Sequence, residues 1–463
     1  MNLLIAFSLY MSLAHCTSQP EQVKDTFEPS HYNREDVITR DIVVIGGGAS
    51  GTYAAINLRR LGQRVVLVEK EALLGGHTRT YTNPATGNTI DYGAQAFWNT
   101  SVTRDYLAYL DVPVTQYTGV QLTDMYADFQ TGEQVIVHSS RDFTAYIEQL
   151  RKYPYLKYSW DLPYPVPPDL LSPFSEFVAK YNLNDIGYNI YYGSQGLSNI
   201  LDQPTVNVFK EFHESLTDAV KGGNVKGHPN NGEIYTKALA YLGKDILFSS
   251  RVIAAYRPES STGVKLVVQT PSACKLILAS KLLVSIPPLL DNMEPFDLTK
   301  RESNLFSRWE YSAYYVMLVS NTGLPSGYRF RNANAWTTSN IPELPAPYQV
   351  TETNVPGIFR VWYGSPYPLE EAVVKADVTS IIRRLQSLMH ANATTVPRFL
   401  AFNSHTPFEL VVQSEEISKY FYRDLNALQG YRNTWYTGAA VSSYNSATVW
   451  NFTAALLPSV IAA

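Results

Sequence analysis

Gly46, Gly48 and Gly51 stand at the spacing Gly-x-Gly-x-x-Gly. An acid, Glu69, follows about 20 residues beyond the second glycine, the separation at which a dinucleotide fold places its ribose-binding carboxylate. The chemistry implied is retention of a pyrophosphate: backbone without side chains lets the phosphates approach, and the acid accepts hydrogen bonds from ribose hydroxyls. A glycine motif alone says little, so the flanks decide. The β-branched run Asp41-Ile42-Val43-Val44-Ile45 predicts a buried parallel strand. Thr52 to Gly62 carries apolar residues at helical spacing, and Arg64 to Val68 predicts a second strand ending on Glu69. Ala49 and Ser50 then open the helix, where backbone N–H groups and the dipole favour an anion.

After Glu69 the chain runs Lys70-Glu71-Ala72-Leu73-Leu74-Gly75-Gly76-His77-Thr78-Arg79-Thr80, and later Asp91-Tyr92-Gly93-Ala94-Gln95. This resembles the flavin amine oxidase superfamily, in which a second Gly-Gly turn follows the ribose acid. That superfamily usually has arginine where this chain has His77, and the histidine form is similar to the fungal β-cyclopiazonate dehydrogenase group. The resemblance implies FAD bound by Gly46, Gly48, Ala49, Ser50, Gly51, Glu69, Lys70, Gly75, Gly76, His77 and Gln95, with the Val252 backbone reading the adenine.

A second block, Thr434-Trp435-Tyr436-Thr437-Gly438-Ala439-Ala440 followed by Tyr444-Asn445-Ser446, predicts a strand ending at Gly438 and a helix beginning near Asn445 or Ser446. By the same resemblance Gly438, Ala439 and Ser446 face the flavin. Ala439 replaces an acid common in amine oxidases, as it does in the β-cyclopiazonate dehydrogenase group. The block lacks the cysteine that carries the flavin in monoamine oxidases, so the FAD is expected to be non-covalent.

Between these blocks, Asp245–Tyr256 reads as strand, turn, strand, and Val264–Gln269 and Ala279–Ile286 as further strands. The expected fold is α/β: a discontinuous Rossmann-like FAD-binding domain (36–97, 226–290, 428–463) with an inserted α+β substrate domain (98–225, 291–427). Asp377 to His390 predicts a scaffold helix. Candidates facing the substrate are His405 as a base near neutral pH, Trp435 as an aromatic flank to the flavin, and Tyr444. Each of the three also has a reading as a packing residue, which for His405 and Tyr444 is the stronger one. The activity implied is two-electron oxidation of an organic small molecule, with a double-bond isomerase or an amine oxidase as alternatives.

Charge and inventory narrow the partners. Lys and Arg number 37 against 41 Asp and Glu, which leaves no basic surplus for tracking nucleic acid. The eight histidines form no metal-ligand pair. Oligomeric state is not readable. Leu3 to Ala14 is apolar and too short to span a bilayer, so residues 1–16 read as a secretory signal, with a buried helix as the alternative. Sequons at Asn99, Asn392 and Asn451 suit that route, Asn392 best and Asn451 worst. Cys16 and Cys274 are the only cysteines, and Cys274 is expected to be an inert buried thiol.

Overall fold

The computed structural model describes residues 25–213, 223–259, 263–391 and 395–462. The signal segment, Cys16 and Asn392 lie outside them.

Val37–Ile45 is the centre of the first sheet because its last four residues are buried on both faces. It pairs in parallel with Cys274–Val284 on one side and Val65–Val68 on the other. Among the described residues this sheet has seven strands, in the order Arg251–Tyr256, Val264–Gln269, Cys274–Val284, Val37–Ile45, Val65–Val68, Ile246–Leu247. Thr434–Tyr436 also pairs in parallel with Cys274–Val284, which brings the second sequence block beside the first. Ile246–Leu247 and Arg251–Tyr256 occupy the two ends of that order. The few residues between them reach at most about 14 Å, less than five strand spacings of about 4.8 Å, so the sheet curls back on itself.

The glycine-led helix Ala49–Arg60 packs beneath the C-terminal helix Ser446–Ala462. Trp450 is fully buried between them and donates its indole N–H to the Ala49 carbonyl at 3.1 Å. Tyr53, Phe97 and Tyr106 surround its ring.

A second, mainly antiparallel sheet runs Arg398–Ser404, Glu310–Ser320, Ile358–Ser365, Ala346–Glu352, Tyr328–Asn332, Thr123–Ala127, with Phe408–Val411 also paired to Glu310–Ser320. The helix expected over 377–390 runs Glu371–Leu388. Its apolar face begins earlier, at Val374, and it stops short because His390 takes a left-handed φ of 49° just past its end. Val374, Val378, Ile381, Ile382 and Leu385 pack on one face of the sheet. The other face, with Tyr314, Val316, Leu318 and Tyr348, turns toward the helices Asn184–Gly193 and Thr205–Glu211 and toward the first sheet.

Cys274 departs from expectation. It is half-buried where the strand Cys274–Val284 begins, not enclosed in the core as an inert thiol would be.

Candidate active site

The cradle is built from three turns that lack side chains. Gly46 has a φ of +100°, and a Cβ there would stand 2.7 Å from Ser285 Oγ. A Cβ on Gly51 would lie 1.9 Å from the Gly46 carbonyl oxygen, so only glycine lets helix and strand meet this closely. Gly76, at a φ of +54°, faces Gly48: its Cβ would be 3.0 Å from the Gly48 Cα. Gly438, at +108°, sits against the Ser285 carbonyl and Ser50 Oγ, each 3.3 Å from where a Cβ would be.

Gly48 caps the helix Ala49–Arg60 without any side-chain hydrogen bond. The first helical N–H groups, those of Ala49 and Ser50 included, are therefore open to an anion. Glu69 is buried and accepts from the Gly47 amide at 2.5 Å and the Glu71 amide at 2.7 Å. A carboxylate has about four acceptor positions, so lone pairs are left for a ribose. Ser250 N–H donates to the Glu69 carbonyl at 2.9 Å, which ties the segment leading into Val252 to the end of the second strand. Val252 itself is buried at the edge of a register shift in its strand. Lys70 is exposed. Ala439 follows the Gly438 turn, and Ser446 opens the last helix, where Asn445 Oδ1 accepts from the Ala447 amide at 2.9 Å. These residues fit FAD. Bound there, FAD supplies a two-electron acceptor for an organic substrate held against its ring.

Beyond the second Gly-Gly turn the structure assembles a wall of rings. His77 and His405 stack with centroids 4.2 Å apart and planes 10° apart. Phe408 lies 5.5 Å from His77, Tyr314 is 4.9 Å from Phe408, and Tyr444 is 4.5 Å from Phe408. His77 keeps an accessible surface while its ring stacks on His405. Gln95 borders the same region, its Oε1 accepting from Tyr117 OH at 3.0 Å.

His405 and Tyr444 thus join His77 across a large sequence distance, but Trp435 does not. Trp435 is 3% exposed and packs with Leu283 and the helices of the first sheet, on the opposite side of its strand from Tyr436. The role of His405 also changes. Burial, then His77 and Arg79, hold its pKa well below the usual imidazole value, so it is neutral and a poorer base than expected. Its Nε2 is buried without a partner and is better read as a hydrogen-bonding group awaiting one.

Burial, then Arg79 and Lys70, push the His77 pKa from 6.5 down to about 4. The unfolded chain therefore binds this proton below pH 6.5 while the folded chain refuses it until about 4. Stability from His77 is complete above 6.5 and is lost as the pH falls toward 4, with His405 acting in the same direction. Urea midpoints measured at pH 7, 5.5 and 4.5 should fall in that order, and the fall should shrink in His77→Asn. An unchanged slope in that variant would refute the assignment.

Behind Phe408 lies a cluster that sequence reasoning missed. Glu211 and Glu409 are hydrogen-bonded to each other, and burial raises both pKa values, so the pair holds a proton. The Tyr444 amide donates to Glu211 at 3.1 Å. Lys210 is buried and donates to the carbonyls of Leu156 and Ser159, at 2.8 and 3.0 Å. Glu409, at a φ of +46°, also lines a cavity of about 80 Å³ with Glu310, Ser312 and Gln203. No motif spacing marks these residues, because separate elements bring them together.

Residues 44–110 match the family described as NAD(P)-binding Rossmann-like domain. The chain is 42% identical to the FAD-dependent oxidoreductase pigF of Monascus ruber, over 94% of this chain and 95% of that protein. It is 35% identical to the β-cyclopiazonate dehydrogenase of Aspergillus oryzae, over 90% of this chain and 92% of that one. Among solved structures, the fatty acid isomerase of P. acnes superposes with a TM-score of 0.72 at 17% identity, covering 91% of this chain and 98% of its own, a likeness of fold alone. A glycine cradle that fits FAD, in a chain 35–42% identical to these two relatives over nine-tenths of its length or more, makes this chain a member of the fungal FAD-dependent oxidoreductases that include β-cyclopiazonate dehydrogenase.

Proposed function

We propose that this enzyme takes two electrons from a hydrophobic small molecule of the β-cyclopiazonate kind, such as an indole-bearing fungal secondary metabolite, with ring closure as the outcome. The observation that carries the reading is the wall of His77, His405, Tyr314, Phe408 and Tyr444 beside the glycine turns. Flat rings with few free polar atoms suit a flat conjugated substrate and exclude water from it. The relative named β-cyclopiazonate dehydrogenase supports the substrate class.

Anaerobic mixing with the substrate should bleach the flavin band stoichiometrically and give a product two hydrogens lighter. Product of unchanged mass, with the band intact at steady state, would replace this reading with isomerisation. Turnover of simple amines would replace it with amine oxidation. The FAD is proposed to be non-covalent, so acid precipitation should leave it in the supernatant.

A secretory route is part of the same proposal, on the apolar run Leu3–Ala14 and the exposed Asn99. Asn451 suits glycosylation poorly, because its Nδ2 donates to Ala447 O and Thr100 Oγ1 from within the last helix. Among the described residues no helix is long and apolar enough to cross a membrane.

A further inference from the structure

Arg360 lies in the strand Ile358–Ser365, whose alternate residues Phe359, Val361 and Tyr363 pack under the helix Glu371–Leu388. Alternation sends Arg360 and Trp362 to the opposite face, the one that carries Tyr314. There the guanidinium has few partners. Nη1 donates to the Asp91 carbonyl at 3.3 Å, the group lies 4.9 Å from the centre of the Trp362 ring, and Nε is buried with no partner at all. No described carboxylate forms an ion pair with it within 4.0 Å. The Asp91 carboxylate is already held by Thr80 Oγ1 at 2.6 Å and the Asn231 amide at 3.1 Å.

The neighbouring hydroxyls are spoken for as well. Tyr117, Tyr192 and Tyr314 lie near the guanidinium, as does Asp91, a carboxylate whose charge reaches it without a direct ion pair. The three tyrosines donate to Gln95, Gln349 and Gln195 respectively. Thr351 is directly opposite Arg360 in the sheet, on the same face, and its Oγ1 is buried without a partner. Arg329 and Arg331, on the next strand, share the single carboxylate of Asp124. The face therefore holds an excess of positive charge. Arg360 is half-buried, with its Nε fully shielded from water. A buried, unpaired charge is strongly unfavourable unless an anion completes it, and a guanidinium fork matches two oxygens in one plane.

We infer that Arg360, with Thr351 as a neutral second donor, anchors an anionic oxygen group of the substrate, a carboxylate or the enolate of a 1,3-dicarbonyl. The inference rests on the oxidative reading above for there being a substrate at this face, but its test needs no turnover. Calorimetric titration of the FAD-loaded protein with 1-naphthoate and with the uncharged 1-naphthamide compares an acid with its isostere. The carboxylate should bind roughly ten-fold tighter or more, the strength of hydrogen bonds to a charged group. Arg360→Met should abolish the preference while the flavin absorbance per protein is unchanged. Arg360→Lys, which keeps charge but loses the fork, should keep part of it, and serves if the Met variant does not fold. Equal binding of the two ligands, binding of neither, or a preference that survives both substitutions overturns the assignment. None of these outcomes depends on whether the substrate is oxidised, so the oxidative reading stands or falls separately.

Discussion

Arg257→Ala should destabilise the protein by about 3–5 kcal/mol, the usual loss when one partner of a buried ion pair is removed. Arg257 is fully buried just beyond the strand Arg251–Tyr256. Its Nη1 donates to Glu302 Oε1 at 2.8 Å and Thr434 Oγ1 at 3.2 Å, and its Nε to the Phe296 carbonyl at 2.6 Å. Glu302 is equally buried and also forms the capping box of the helix Lys300–Phe306 with Thr299. Without Arg257 the nearest remaining cation is Arg432, whose Nη1 lies 3.4 Å from Glu302 Oε2, a longer and single contact. Urea unfolding of Arg257→Met, Glu302→Gln and the variant carrying both closes a double-mutant cycle. The double variant should recover part of the loss, because no uncompensated charge is then left inside. A loss under about 1 kcal/mol for Arg257→Ala would show that the pair is not the tie it resembles.

Two alanine substitutions only three residues apart should fail in different ways. Gly51→Ala places a methyl 1.9 Å from a backbone oxygen, which cannot rotate away, so the helix must leave the strand. Loss of stability at or above the about 1–3 kcal/mol of ordinary overpacking, together with loss of FAD, is expected. Gly48→Ala meets nothing nearer than Gly76 Cα at 3.9 Å, and Gly48 has an ordinary φ of −74°. That protein should melt like its parent in the apo state and yet purify colourless, because the methyl occupies the space the pyrophosphate needs. Thermal melts of FAD-stripped protein, with the ratio of flavin to protein absorbance, separate the two. A yellow Gly48→Ala protein would remove Gly48 from the cofactor site.

The cradle was readable in the chain because its requirements are local. Gly46, Gly48, Gly51 and Glu69 are bound to one strand–helix–strand unit, and the spacing within such a unit is set by backbone geometry alone. Gly438 was readable by resemblance, and the pairing of Thr434–Tyr436 with Cys274–Val284 gives its physical reason. Strand parity defeats Trp435: alternation puts it on the helix side and Tyr436 on the other, and a three-residue strand carries no periodicity from which to tell. His405 is legible as a candidate, but its neutrality follows from burial and then from the nearby charges of His77 and Arg79, which spacing cannot show. Arg360 and the Glu211–Glu409 pair depend on sheet register and on elements far apart in the chain, where single-sequence patterns have nothing to say.

The buried Trp450 gives the molecule an order of assembly. The strand–helix–strand unit that grips the pyrophosphate is complete by Glu69, but Gly438 and the helix that holds Trp450 against Ala49 emerge more than 350 residues later. During synthesis the glycine helix is therefore made long before its cover, leaving Tyr53, which meets the Trp450 ring, open to any chaperone at hand. In this topology the cofactor site is complete only once the segment from Thr434 through Trp450 has been made and has docked on the first unit.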